Sequence, residues 1–326
     1  MTDTATAALA HAAQMAGLAP SIHNTQPWRW RVDGSTLELR ADRQRQLGIT
    51  DPGGRMLTVS CGTALHQAQT ALAAAGWAVD IARLPDRADA DLLARATVTG
   101  PIEVTAAAMR LLQSMRIRHT DRRPVSETPV PDVALAALRQ AAEREGAHLH
   151  VLRRDDVVEL ASAAAHAQTV ENLDAEWREE LIYWASGGAG EGHGIPAATI
   201  PSTPPETTVP GRDFGPGSLA IGPGHDRAAR YAILYGDEDT PVGWLHGGEA
   251  LSAVWLEATG LDVSVLPLSA AVEVPETRRT LRRMLSDLGE PYLVLRLGIA
   301  DPDHAGPPHT PRVPASQLVE IVSDPQ

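Results

Sequence analysis

Apolar residues recur along the chain at two spacings, one of three to four positions and one of two, and these predict helices and strands in turn. Leu9, Ala12, Ala13 and Ala16 share one face of a small-residue helix over Ala5 to Gly17, with the glycine suited to end it. Trp28, Trp30 and Val32 alternate as a strand, Asp33-Gly34 is a hairpin turn, and Thr36 to Arg40 forms the return strand. A helix over about Gly62 to Ala75 closes on Gly76, ahead of Trp77, Val79 and Ile81 in strand alternation. Further helices are expected at Val133 to Arg144, from about Val157 to Trp184, at Gly248 to Thr259 and at Arg278 to Leu288. Further strands are expected at His148 to Leu152, Leu261 to Val265 and Tyr292 to Leu297. With no βαβ glycine fingerprint among them, the class is α+β.

Two features interrupt this rhythm. Laying Gly76 on Gly260 superposes Leu72 on Leu256, Ala74 on Ala258, and Val79 and Ile81 on Val263 and Val265, a short internal repeat. Any helix, glycine cap and strand would look alike, so the match alone leaves duplication and coincidence both open. Ser186 to Gly217 carries eight glycines and six prolines without periodicity. So long an irregular stretch inside a compact chain is a lid, a binding loop or a linker. Leu219 to Gly298 resumes the alternation of helix and strand, which favours a lid or binding loop over a linker. A proline-rich tail follows from Asp301, with Arg312 as its single arginine.

Composition narrows the chemistry. The 326 residues suffice for one large or two ordinary domains, and 43% apolar content supports a real core. The net charge of −13 repels phosphate backbones and anionic membranes, so neither nucleic acid nor a membrane is an expected partner. A single cysteine, Cys61, excludes a disulfide framework, and the alanine-rich start lacks the basic region of a secretory signal; the expectation is a cytoplasmic protein. All 28 basic residues are arginine. A phosphate-loop lysine, a Schiff-base lysine and a Ser-Lys nucleophile pair are therefore excluded.

Any anionic ligand must then be held by clustered arginines working against the global charge. Arg116, Arg118, Arg122 and Arg123 crowd into Arg116 to Pro124, RIRHTDRRP, where guanidiniums this close need an anion or acidic partners. Asp121 and Glu127 could serve as those partners in a solvated patch. Ala19 to Trp28, APSIHNTQPW, places Ser21, Asn24 and Gln26 in a proline-bounded turn. That is the make-up of a ligand-edge hydrogen-bonding loop, and equally of a turn that only starts the next strand.

These two segments resemble motifs of the nitroreductase superfamily. APSIHNTQPW is similar to its proline, serine, variable pair, asparagine, then glutamine-proline-tryptophan loop, and RHTDRRP is similar to its N-terminal phosphate-binding arginine motif. In that superfamily each FMN lies at a homodimer interface, with one motif from each subunit. Here the loop precedes the arginine motif by about a hundred residues, the reverse of the usual order. Together with the long insert, this resembles the Acg family of actinobacterial nitroreductase-like proteins. The resemblance implies two fused half-units, residues 1–110 with the loop and 111–326 with the arginine motif, insert and tail. They would form a pseudo-dimeric monomer with the nitroreductase fold and one FMN per chain.

The resemblance also implies site residues. Pro20, Ser21, Ile22, His23, Asn24 and Gln26 would contact the flavin from the first half. Arg118, His119, Thr120 and Arg122 would hold its phosphate and pyrimidine edge, Leu266, Pro267, Leu268 and Ser269 its ring face, and Arg312 the phosphate again. The family often places a lysine near flavin N1; with no lysine, Arg122 is the substitute. The implied activity is electron transfer from NAD(P)H through FMN to a nitro or quinone acceptor, with no side chain acting as acid or base. Two alternatives stand beside it: FMN storage under a lid, and a flavin dehydrogenase acting on a biosynthetic intermediate. GGAGEGHG around Gly190 follows a helix rather than a strand, so it is not a dinucleotide loop. His148 and His150 lack further ligands for a metal, and no serine sits in a nucleophile elbow.

Overall fold

The computed structural model describes residues 2–186, 192–222, 225–301 and 306–322. Residues 187–191, which include most of the glycine-rich run around Gly190, lie outside the described residues. The first part of the chain runs α1 (Thr2–Ala16), β1 (Trp28–Asp33), β2 (Thr36–Ala41), α2 (Arg55–Ala74), β3 (Trp77–Arg83) and β4 (Leu92–Pro101). Then follow α3 (Ala106–Ile117), α4 (Asp132–Arg144), β5 (His148–Val151), α5 (Asp156–Leu173) and α6 (Ala175–Ser186). Past the irregular segment come β6 (Arg230–Gly236), α7 (Pro241–Gly260), β7 (Val263–Leu268), α8 (Ala270–Glu273) and α9 (Pro275–Met284). The chain closes with β8 (Glu290–Ile299), α10 (Ala315–Leu318) and β9 (Val319–Ile321).

The strands form two sheets, ordered β3-β4-β2-β1-β9 and β5-β6-β8-β7, with α2 and α7 packed together between their cores. Both helices are buried on nearly all sides, and they cross where neither has a side chain. A Cβ on Gly62 would lie 2.2 Å from the Leu245 carbonyl oxygen, and one on Gly248 would lie 2.0 Å from that of Val59. The close approach lets each helix feed the other's core. Met56 and Val59 of α2 join the cluster around the second sheet, while Leu245 of α7 joins the cluster around the first. The tail completes this interlock, since β9 adds to the first sheet in parallel with β1, Trp30 opposite Val319.

Several elements differ from the sequence expectation for local reasons. The second helix begins at Arg55, seven positions before the expected Gly62, where Asp51 accepts from the Leu57 amide and caps the first turn. The expected helix from Val157 to Trp184 is broken at Asp174, whose Oδ1 accepts from the amides of Glu176 and Trp177 and starts α6 afresh. Leu261 does not open a strand; Asp262 turns at φ 55° and β7 starts at Val263. The expected helix at Arg278 to Leu288 starts earlier, with Pro275 in its first turn, and ends at Met284, before the left-handed Ser286 and Asp287. Strand β4 and helix α3 were not among the expected elements. Among the described residues no helix is long and apolar enough to cross a membrane.

Candidate functional site

The loop after α1 carries an unusual backbone. His23, Asn24 and Gln26 all take positive φ, at 46°, 56° and 50°, in a region that side chains with a Cβ rarely adopt. Such strain persists only where surroundings over-determine it, and it clusters at functional sites. The surroundings here are dense. Ser21 Oγ accepts from the Gln26 amide, Ser60 Oγ of α2 accepts from the Ile22 amide, and Thr63 Oγ donates to the Pro20 carbonyl.

This loop forms one wall of a cavity of about 1090 Å³, just above the usual range for small-molecule sites. Pro20, Ser21, Ile22, His23 and Asn24 line it, facing Leu266, Pro267, Leu268 and Ser269 from β7 and its end. Arg118, Thr120, Arg122 and Arg312 line it too. The structure therefore brings most of the sequence-predicted residues together, although they come from segments almost 290 positions apart. Gln26 and His119 do not line it. Gln26 is wholly buried behind the loop, its Nε2 donating to the Gly192 carbonyl and its Oε1 accepting from the Val313 amide. His119 turns away to the ring of His309, 6.2 Å between centroids.

The cavity's electrostatics are set by three arginines, Arg118 buried and Arg122 and Arg312 half-buried. Arg118 follows α3, stacks its guanidinium 4.4 Å over the Trp255 ring, and leaves Nε and Nη1 without a partner. Arg312 donates to Asn24 Oδ1 and to the Leu18 carbonyl but leaves Nε unpaired. Arg122 donates to the Thr199 carbonyl and lies 4.9 Å over the Phe214 ring. Burial lowers all three, Arg118 to about 9 with Arg312 adding repulsion, and Arg122 and Arg312 each to about 10. Among the described residues no carboxylate pairs with Arg118 or Arg312, so their charges are uncompensated there. Their neighbour Arg123 behaves oppositely, forming a bidentate pair with Asp121 outside the cavity's charge cluster.

Other residues at the site were not legible from spacing. Arg296 of β8 is buried and holds the arginine segment in place, donating to the carbonyls of Asp121 and Arg123 and pairing with Asp226 at 2.9 Å. Asp226 in turn accepts from the Val125 amide. Residues 200–217 of the glycine- and proline-rich segment also contribute to the cavity's lining. This segment is fastened by Arg212, which pairs with Glu171 of α5 and Glu273 of α8 and donates to His23 Nε2 at 2.9 Å. Ile195 and Ile200 are buried, and Phe214 meets the His23 ring edge-on at 5.6 Å. Trp255, on the α7 helix that was expected, also lines the cavity. No group of three or more candidate metal ligands occurs among the described residues.

No family model matches the chain. A protein of Mycobacterium tuberculosis H37Rv named "Putative NAD(P)H nitroreductase Rv3131" is 41% identical over 310 residues, 93% of this chain and 88% of that protein. A second from the same strain, "Putative NAD(P)H nitroreductase acg", is 31% identical over 314 residues, 95% of this chain and 94% of the other. Among solved structures, the FMN-dependent nitroreductase NfnB from Mycobacterium smegmatis in complex with NADPH aligns over 67% of this chain and 100% of its own. That alignment has a TM-score of 0.42 and 15% identity. With relatives this similar along nearly its whole length, the chain belongs to the Acg-like family of the nitroreductase superfamily, and its two sheets around paired central helices are the nitroreductase fold.

Proposed function

We propose that the cavity binds one FMN per chain and that the protein is an FMN-dependent oxidoreductase, passing electrons from NAD(P)H to a small electron-poor acceptor such as a nitroaromatic or a quinone. The observation that carries this is the uncompensated pair Arg118 and Arg312 on the wall of a cavity whose lining also includes Ile22, Trp255, Leu266 and Leu268. Guanidiniums with buried, unpaired N–H groups fit a phosphate dianion, and the apolar part of the wall fits a flat ring system. The residues present therefore suit FMN on charge and on shape. The names of the relatives point the same way.

In this reading Arg118, Thr120 and Arg312 hold the phosphate, and Arg122 brings positive charge to the pyrimidine edge where an electron-rich ring is stabilised. Ser21, Ile22 and the stretch Leu266 to Ser269 set the ring's position, with Pro20, His23 and Asn24 completing the wall. The bound flavin supplies the electron-transfer chemistry. The protein's own part is to orient the reactants, supply charge and exclude water, with residues 200–217 as the covering element.

The half-units proposed at 1–110 and 111–326 are supported by the matched pairs α2–β3 and α7–β7 and by their crossing at Gly62 and Gly248. The repeat places Arg83 where the second half has Pro267. There a part-buried network stands: Arg83 is bidentate to Glu249, which also accepts from Gln69. That filled position supports a single flavin.

The covering segment favours a second reading, FMN storage without turnover, since Phe214 lies against both Arg122 and His23. An anaerobic titration of FMN-loaded protein with NADH and NADPH separates the two. Bleaching of the flavin band is expected for the reductase; a flavin reduced by dithionite but inert to both nucleotides supports storage and overturns the reductase reading.

A further inference from the structure

We propose that His23 is a fixed hydrogen-bond donor that selects acceptors bearing an exposed oxygen, a quinone carbonyl or a nitro group, and that Arg212 fits it for that task by fixing its tautomer. This rests on reading the cavity as an oxidoreductase site.

The argument begins at Arg212, whose side chain is 6% exposed. Its Nη2 donates to Glu171 Oε1 at 2.6 Å and to Glu273 Oε2, and its Nε donates to Glu171 Oε2 at 3.2 Å. Burial works against the charge, but the two carboxylates outweigh it and raise the guanidinium above its ordinary range. A guanidinium has five N–H donors and no acceptor. Its Nη1 stands 2.9 Å from His23 Nε2, so that nitrogen must be the acceptor. His23 is itself held well below the usual imidazole range, by burial first and then by Arg212 and Arg122. The ring is neutral, and its one proton sits on Nδ1.

That Nδ1–H has no hydrogen-bond partner among the described residues, while the ring lines the cavity. The ring is also held in orientation, with Phe214 packed at 84° to it. Its backbone stands at φ 46°, a strained conformation maintained for a residue that makes no other polar side-chain contact. Arg212 and Phe214 both belong to the irregular segment that lines the cavity, so that segment supplies the groups that orient the donor. Its place is the boundary between the signature loop and the cover, where a second ligand would lie, whereas the phosphate-binding charge comes from Arg118 and Arg312. A neutral N–H favours an oxygen acceptor. A hydrocarbon of the same shape would leave it unpaired, at a cost.

Two measurements test this, neither depending on turnover. Isotope-labelled imidazole NMR of the wild type, with His23 assigned by the signal lost in His23→Phe, should show Nδ1 protonated and Nε2 bare; the opposite tautomer overturns the proposal. Calorimetric titration of the oxidised protein, without electron donor, compares menadione with methylnaphthalene. The wild type should prefer the quinone, and His23→Phe should lose about tenfold of that preference, with His23→Gln regaining part of it through its amide N–H. Arg212→Gln should mix the two tautomers. An unchanged preference in His23→Phe overturns the proposal. Flavin content is read from the visible absorbance of the same samples. Protein without flavin would defeat the cofactor reading separately, and the tautomer would still decide on His23.

Discussion

Arg312 donates from Nη1 to Asn24 Oδ1 at 3.0 Å, joining two residues 288 positions apart. The same amide donates from Nδ2 to the carbonyls of Pro311 and Gly194, so one asparagine ties the signature loop to the tail and to the covering segment. In the proposed reading its role is to aim the cation that would meet the phosphate. Asn24→Ala should release Arg312 and weaken FMN binding by about 1.5 to 3 kcal/mol, roughly the worth of a hydrogen bond to a charged group. Fluorescence titration with FMN measures it, and wild-type affinity would show that the tie is incidental.

Arg118 should show opposite effects on binding and on stability. Without an anion it is a buried cation with two unpaired nitrogens, offset only by stacking on Trp255 and a 3.4 Å hydrogen bond to the Leu18 carbonyl. Arg118→Met keeps the volume and removes the charge. FMN affinity should fall by about 1.5 to 3 kcal/mol, while the flavin-free protein should unfold at the same temperature or higher. Calorimetry with and without FMN reads both, and a large loss of flavin-free stability would contradict the uncompensated-charge argument.

The helix crossing leaves no room for a methyl group. Gly248→Ala would place a Cβ 2.7 Å from Gly62 Cα and closer still to the Val59 carbonyl oxygen, both rigid backbone. The expected cost is about 1 to 3 kcal/mol or more, seen as a lower melting temperature. Because Ser60 and Thr63 anchor the signature loop from the same stretch of α2, flavin affinity should fall with it.

Acid should destabilise the protein through His66. This imidazole lies between α2 and α7, Nδ1 2.9 Å from Ser252 Oγ, and is lowered to about 4 by burial and then by Arg144; Glu145, 3.9 Å away, does not offset this. A group depressed in the folded state gives stability above its unfolded value near 6.5 that is lost as pH falls toward 4. The loss should be of the order of a few kcal/mol, and His66→Gln should flatten it. Urea unfolding across that range tests this, and an unchanged acid limb would rule His66 out as the cause.

What the sequence disclosed follows from the range of each interaction. The alternation at Trp28, Trp30 and Val32 and the helical spacing at Leu251, Val254 and Trp255 are local, and both elements form as expected. The break at Asp174 is local too, but its signal is a single capping side chain inside a continuous helical pattern. Arg118 and Arg122 stood out because crowded guanidiniums need an explanation. Arg212 did not, because its partners His23, Glu171 and Glu273 come from three separate elements and no spacing connects them. Gln26 illustrates the converse: a polar residue inside a ligand-loop motif that serves the loop's own architecture.

The most direct test of the account is equilibrium binding of FMN and of riboflavin to the flavin-free protein, with the stoichiometry read at saturation. One FMN per chain is expected, with riboflavin bound at least about a hundredfold more weakly, because Arg118 and Arg312 then keep their unpaired N–H groups. Two FMN per chain, or equal affinity for the ligand without the phosphate, would contradict it.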